Sequence, residues 1–309
     1  MFASFDIHTD LALEDKERFE SDRVEISGVS VEEFLHEEEE IKVTEVKIQT
    51  ENGAKIMRKP IGTYITMEMQ SMTTADDESK NIIAKVLSQY MKKVLPIDKE
   101  EYVALVVGLG NREVTPDALG PRTVENLNVT RHIVKEYGPY ALGDEKVQMV
   151  CALAPGVMAQ TGMESFEIIK GIVDSAEIDV VFVVDALAAR NTKRLNRTIQ
   201  IADTGIHPGS GVGNHRNEIS KETLGIPVIA IGVPTVVDAA TIVRDTMEHI
   251  VENLEPADKY EIMQDLIAPH LYGMFVTPKD IDEAIEEISR IIADGFNLLF
   301  VKTKQDSQA

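Results

Sequence analysis

Val103-Ala104-Leu105-Val106-Val107-Gly108-Leu109 carries no polar side chain. An extended run that is apolar at consecutive positions has to bury both of its faces. Three more runs of the same kind follow it: Val147 to Leu153, Val180 to Val184, and Val228 to Gly232. Between them lie stretches with apolar residues at helical spacing, Arg122 to Tyr137 and Met163 to Ala176. Doubly apolar strands alternating with helices predict a parallel sheet covered on both sides. A further strand is expected at Thr198 to Ile201, with helices at Val236 to Leu254 and Lys279 to Ala293.

Upstream of this core the pattern changes. Ser79 to Leu95 again shows helical spacing. Ile41 to Ile48 and Thr63 to Met69 alternate with period two, and Glu51-Asn52-Gly53 between them reads as a turn. They predict an antiparallel pair beside the main sheet. The first 40 residues are polar and acidic, ending in Glu37-Glu38-Glu39-Glu40, and read as an N-terminal arm. The expected fold is α/β: a doubly wound, largely parallel sheet with helices on both faces, plus an N-terminal antiparallel β extension. The catalytic core would span residues 101–309, with the arm and extension over 11–100 packed on it.

With 309 residues, 43% of them hydrophobic, the chain can bury a full core. Its 53 acidic side chains outnumber 31 basic ones, for a net charge of -22. Such a surface repels phosphate backbones, which argues against direct binding to nucleic acid or anionic membranes and favours a basic partner. No apolar run approaches the ~20 residues of a membrane span. Met1 to Asp6 lacks the basic flank and apolar stretch of a signal peptide, so a cytoplasmic protein is expected. The single cysteine, Cys151, sits in an apolar run and reads as a core thiol that forms no intrachain disulfide.

Each strand of a parallel sheet opens at its carboxyl end into the region where ligands bind. Gly108-Leu109-Gly110-Asn111-Arg112-Glu113 occupies such a position but fails as a dinucleotide fingerprint. Glu113 stands where a small residue is needed, and with Asp117 it would repel a pyrophosphate. No Walker sequence occurs, and Gly209-Ser210-Gly211-Val212-Gly213 has the wrong spacing for a serine nucleophile elbow. His132 falls inside a predicted helix and reads as structural. The expected enzyme uses no cofactor.

Two carboxylates stand out. Asp117 lies in Val114-Thr115-Pro116-Asp117-Ala118-Leu119-Gly120-Pro121, between the first strand and its helix. Asp185 is expected to end the third apolar run, where a carboxylate is costly unless paired or functional. If the two runs are neighbours in the sheet, both aspartates project into one cleft. Two close carboxylates share a proton, so one can act as general base on water while the other polarises a carbonyl. They would serve equally well as metal ligands, and spacing does not separate the two options. The loop around His207, Gly209, Ser210, Gly211 and Gly213 supplies glycines that let backbone N–H groups approach a ligand, which suits substrate binding.

At these same residues the chain resembles the germination protease of spore-forming bacteria. The similarity runs through Val106 to Asn111, Val114 to Pro121, Ala154 to Met158, Asp185 to Arg190, Asp203 to Gly213, Ile229 to Ala239 and Val276 to Lys279. The resemblance implies an endopeptidase that degrades small acid-soluble spore proteins at germination. It implies an atypical aspartic-type enzyme whose essential pair matches Asp117 and Asp185. It further implies a homotetramer made as a self-processing zymogen, on a core similar to that of hydrogenase maturation proteases, whose acidic metal ligands keep a metal-dependent protease in view. A non-catalytic peptide-binding protein is the third reading. Family substrates are cut after an acidic residue followed by a large apolar residue and alanine. Asp10-Leu11-Ala12 offers that order, so the cut is expected between Asp10 and Leu11, with residues 1–10 as propeptide. Glu25-Ile26-Ser27 matches less well. The chain departs from Bacillus members in a shorter stretch between Leu254 and Val276 and in its N-terminal sequence after Leu13.

Overall fold

A computed structural model describes residues 9–14, 26–36, 40–143, 145–208, 217–243, 271 and 273–302. In chain order these form β1 (Val29–His36), β2 (Ile41–Ile48), α1 (Glu51–Met57), β3 (Gly62–Glu68), α2 (Asp77–Val94) and β4 (Val103–Gly108). There follow α3 (Leu119–Glu125), α4 (Arg131–Tyr137), β5 (Lys146–Val147), β6 (Met149–Leu153), α5 (Met158–Thr161) and α6 (Ser165–Ala176). The last part holds β7 (Val180–Ala189), β8 (Thr198–Ala202), α7 (Lys221–Leu224), β9 (Val228–Asp238), β10 (Phe275–Val276), α8 (Ile281–Leu299) and β11 (Val301–Lys302).

The main sheet runs β1-β2-β3-β8-β9-β7-β4-β6, with β10 paired on β9. The four apolar runs are its parallel half: β6, β4, β7 and β9 pair in parallel. The other half is antiparallel, and β8 is the hinge between them, antiparallel to both β9 and β3. The N-terminal extension is therefore continuous with the main sheet rather than set beside it. β8 supplies the reason: Thr198 to Ala202 is buried throughout and offers β3 an otherwise open ladder.

Alternate residues of β4 and β7 divide between two cores. Ala104, Val106, Val180, Phe182 and Val184 face α2 and α8, while Leu105, Val107, Val181 and Val183 face α6. On the first face Phe182 meets Phe296 and Phe300 edge-on, at centroid distances of 5.3 and 5.7 Å. Edge-on contact suits the ring quadrupoles. Asp76 caps α2 by accepting from Ser79 N at 2.8 Å, and the helix begins with Asp77 and Glu78 and ends with Lys92 and Lys93, matching its dipole.

Several sequence expectations need correction. The Glu51-Asn52-Gly53 turn is the start of α1, because Thr50 caps it by accepting from Gly53 N at 3.1 Å. The expected helix over Arg122 to Tyr137 is two, α3 and α4, since the Asn126 N–H closes the first and Thr130 Oγ1 bonds instead to the Gln148 carbonyl. Val236 to Asp238 continue β9, so the expected helix begins only at Ala239; it is helical through Val243, and from residue 244 it lies outside the described residues. The acidic arm contains a strand, β1, read from sequence as polar because Phe34 and Leu35 point to solvent. His132 does fall in a helix, α4, and is exposed there. Cys151 is half-buried on β6, and burial pushes its thiol up from its ordinary value.

Candidate active site

Asp185 does not end its strand. β7 continues to Ala189, paired with an equally extended β9, so Asp185 stands opposite Gly232 in the middle of a ladder. Ala186, Ala188 and Ala189 are held extended there by their pairing with Val233, Val236 and Val237. Leu187 faces Pro234 and Ala188 faces Val236, which leaves Thr235 as the extra residue of a β-bulge. Asp185 is 8% exposed, and its Oδ1 accepts from Ala186 N at 2.9 Å.

Asp117 comes in from the neighbouring strand. After β4 the chain turns at Gly110 and enters a single 3-10 turn, Thr115–Asp117, before α3. Pro116 sits near the start of this turn, where its fixed φ suits the backbone and its missing N–H is no loss. Asp117 Oδ2 accepts from Asn111 N at 2.7 Å. Gly110 has φ of +112°, and a Cβ there would lie 1.9 Å from the Asp117 carbonyl oxygen, so only glycine fits. Gly120 permits a second close approach: a Cβ would stand 2.3 Å from Leu109 O and 2.6 Å from Val184 O. Leu109 N in turn donates to Val184 O at 2.8 Å, fastening the end of β4 beside Asp185.

Both aspartates line one cavity of about 450 Å³. Leu109, Pro116, Leu187 and Thr235 give it apolar or backbone walls, and Lys59, Tyr64, Gln200 and His207 border it with polar groups. His207 reaches Glu218, with Nε2 3.5 Å from Oε1. Gly209, Ser210, Gly211 and Gly213 lie outside the described residues. Among the described residues no group of three or more His, Cys, Asp and Glu side chains is arranged to hold a metal ion.

The N-terminal segment 9–14 enters the same cavity. Asp10 lines it, and its N–H donates to Ala188 O at 3.2 Å while its Oδ2 accepts from Ala188 N at 3.0 Å. The Asp10 carbonyl accepts from Lys59 Nζ at 2.9 Å and from Gln200 Nε2 at 3.1 Å. Leu11 is fully buried against Leu187, Ala189 and Val237. Ala12 N donates to Gln200 Oε1 at 2.7 Å. Glu14 anchors the far end: its carboxylate accepts from Arg190 N at 2.8 Å and Asn191 N at 2.9 Å, and Arg194 Nη1 stands 3.3 Å away.

Sequence reading brought Asp10, Leu11, Asp117, Asp185 and His207 to attention, and all five fall at or beside this cavity. It missed Lys59, Gln200, Thr235, Glu14 and Arg194. For Gln200 a signal existed, a polar residue in the strand Thr198 to Ala202, whose neighbours Ile199 and Ile201 are apolar. Lys59 lies in the unremarkable run Arg58-Lys59-Pro60 and carried none.

No helix among the described residues is long and apolar enough to cross a membrane. Comparison with known proteins is consistent along the chain. A germination protease from Caldanaerobacter subterraneus subsp. tengcongensis is 48% identical, over 94% of this chain and 93% of its own length. One from Clostridium tetani is 43% identical, over 94% of both chains. Among solved structures, the NiFe hydrogenase maturation protease HycI from Thermococcus kodakarensis KOD1 aligns over 67% of this chain and 99% of its own, at 18% identity and a TM-score of 0.33. The profile described as germination protease matches residues 7–255. With that match and those relatives spanning most of its length, the chain belongs to the germination protease family.

Proposed function

We propose that the chain is an endopeptidase acting on small acid-soluble spore proteins, with Asp117 and Asp185 as its catalytic pair, and that it is made as a zymogen that cuts itself between Asp10 and Leu11. The observation that carries the reading is the single cavity lined by Asp10, Asp117 and Asp185 together. It brings the acidic residue before the expected cut to the two carboxylates expected to make it.

One aspartate, ionised, takes a proton from a water molecule that attacks the carbonyl carbon. The other, protonated, polarises the scissile carbonyl, and a proton returns to the leaving nitrogen as the C–N bond breaks. The His207 loop would border the cleft and hold substrate backbone. Under the same reading the chain is a homotetramer working in the spore core, its acidic surface suited to a basic substrate and to neither nucleic acid nor membrane.

The test is digestion of a small acid-soluble spore protein by the wild type, Asp117→Asn and Asp185→Asn, each with and without chelator. Loss of cutting in both variants with a chelator-indifferent wild type supports the pair. Cutting that survives either substitution removes that residue from the mechanism. Chelator-sensitive wild type transfers the carboxylates to a metal-dependent mechanism.

A further inference from the structure

One side chain brackets Leu11, bonding the peptide unit before it and the peptide unit after it. Gln200 Nε2 donates to the Asp10 carbonyl at 3.1 Å, and its Oε1 accepts from Ala12 N at 2.7 Å. A planar carboxamide fixed at both ends sets the position and tilt of the backbone between them. Gln200 is itself held: it is 8% exposed, on a buried strand, opposite Gly232 in the ladder with β9.

A second donor reaches the same oxygen. Lys59 Nζ lies 2.9 Å from the Asp10 carbonyl and 3.4 Å from the Thr9 carbonyl. A carbonyl oxygen has two lone pairs, so Lys59 and Gln200 together satisfy it. When water adds to the carbon, the C=O electron pair moves onto this oxygen and leaves it negative. A cationic ammonium and a fixed amide N–H, already aimed at that oxygen, strengthen as the charge forms. A cation on one particular carbonyl is more than docking of a segment needs, and it gains strength when that oxygen becomes negative.

We infer that Lys59 and Gln200 are catalytic residues that hold the oxyanion formed at the scissile carbonyl. The inference rests on the proposed cut between Asp10 and Leu11 and moves the polarising of its carbonyl from the protonated aspartate to these two donors. With both lone pairs of the carbonyl engaged by these donors, the proton on the second aspartate is available for the leaving nitrogen. Water adds to the carbon and gives one proton to the first aspartate. The oxyanion collapses, the C–N bond breaks, and the nitrogen leaves as the amine of Leu11. The products are a new carboxylic acid and a new amine, with one water consumed.

The test uses a synthetic peptide spanning residues 5–18, cut by active enzyme as wild type, Lys59→Met and Gln200→Leu. The expected result is a fall in kcat of about 100- to 1,000-fold for Lys59→Met and about 10- to 100-fold for Gln200→Leu. KM should move by less than about threefold in Lys59→Met, since the interaction matters most in the transition state. A phosphinic analogue of the peptide, with a tetrahedral P–O⁻ centre replacing the Asp10 carbonyl, supplies a readout independent of turnover. Its affinity should fall in Lys59→Met by the same factor as kcat/KM, while uncut peptide binds Asp117→Asn and Lys59→Met/Asp117→Asn alike. Raised KM with kcat within about threefold of wild type in both variants would overturn the inference and make the two residues docking groups. If the wild type leaves the peptide whole while still digesting a small acid-soluble spore protein, the assigned cut is wrong and the inference falls with it. Should Lys59→Met fail to fold, Gln200→Leu decides by the same criteria.

Discussion

Thr235 Oγ1 donates to the carbonyl of Pro116 at 2.8 Å. Thr235 is the bulged residue of β9, and Pro116 immediately precedes Asp117, so this bond ties the strand beside Asp185 to the turn that carries its partner. Thr235 is 1% exposed, which makes the bond a dry one. Thr235→Val keeps the shape and removes the donor. It should cost about 1–2 kcal/mol in a denaturant melt and lower kcat well beyond what that loss explains, because Asp117 loses its fixed position.

Asp117→Asn and Asp185→Asn keep the size of each side chain and remove its charge. Both should fold with melting temperatures near that of the wild type, and both should lose at least about 1,000-fold in kcat/KM on a spore-protein substrate. A variant that retains activity within about tenfold takes its aspartate out of the chemistry.

Gly110→Ala tests the turn from the opposite side. The added methyl would meet the Asp117 carbonyl at 1.9 Å, at a φ that alanine avoids. A loss of about 3 kcal/mol or more is expected from a thermal melt, combined with a collapse of activity even where the variant folds.

The acid limb of stability should carry the signature of Glu45. Its side chain is 1% exposed on β2. Burial alone would raise it, but hydrogen bonds and charge from Lys47 and from Lys93 on α2 win and hold it below its ordinary value of 4.5. A carboxylate depressed in the folded state stabilises above its unfolded value, and that stability disappears as pH falls through the lower folded value. Glu45→Gln should therefore be less stable than the wild type at pH 7 by about 1–3 kcal/mol. The gap should close as the pH is taken below about 4. Urea melts across pH 3–7 read it directly, and a gap that widens in acid would contradict this assignment.

Leu11→Ala should act locally. Leu11 is fully buried, but its neighbours Leu187, Ala189 and Val237 belong to a core of their own at the end of the extended β7–β9 pair. About 2–4 kcal/mol of docking should be lost, with the global melt almost unchanged. Hydrogen exchange at the Ala12 amide, which is bonded to Gln200 in the docked state, reports this separately from unfolding.

How much of this could be read in the chain depended on burial. The four apolar runs announced the parallel strands because both faces of each are covered, and they bring Asp117 and Asp185 to one cavity if β4 and β7 are adjacent, as they are. β1 was illegible for the opposite reason: Glu32, Glu33, Phe34 and Leu35 are all exposed, so no alternation marks it. The far half of β7 was missed because Ala186, Ala188 and Ala189 have little strand preference of their own; they are extended because β9 pairs with them. Lys59, just before β3, and Gln200 on β8 converge on the Asp10 carbonyl because β3 pairs with β8 across a long sequence gap, a relation that local pattern does not contain.

That pairing also fixes an order of events. Tyr64 finds its partner only in Ala202, and the pocket that receives Leu11 needs Val237. As the chain leaves the ribosome, residues 9–14 emerge long before Val237, and their seat does not exist until it follows. Closing so long a loop is slow, so the parallel half and its cleft form before residues 9–14 are laid across them. Residues 9–14 are made before their seat and placed after it, so each newly built molecule passes through an interval in which its cleft stands open.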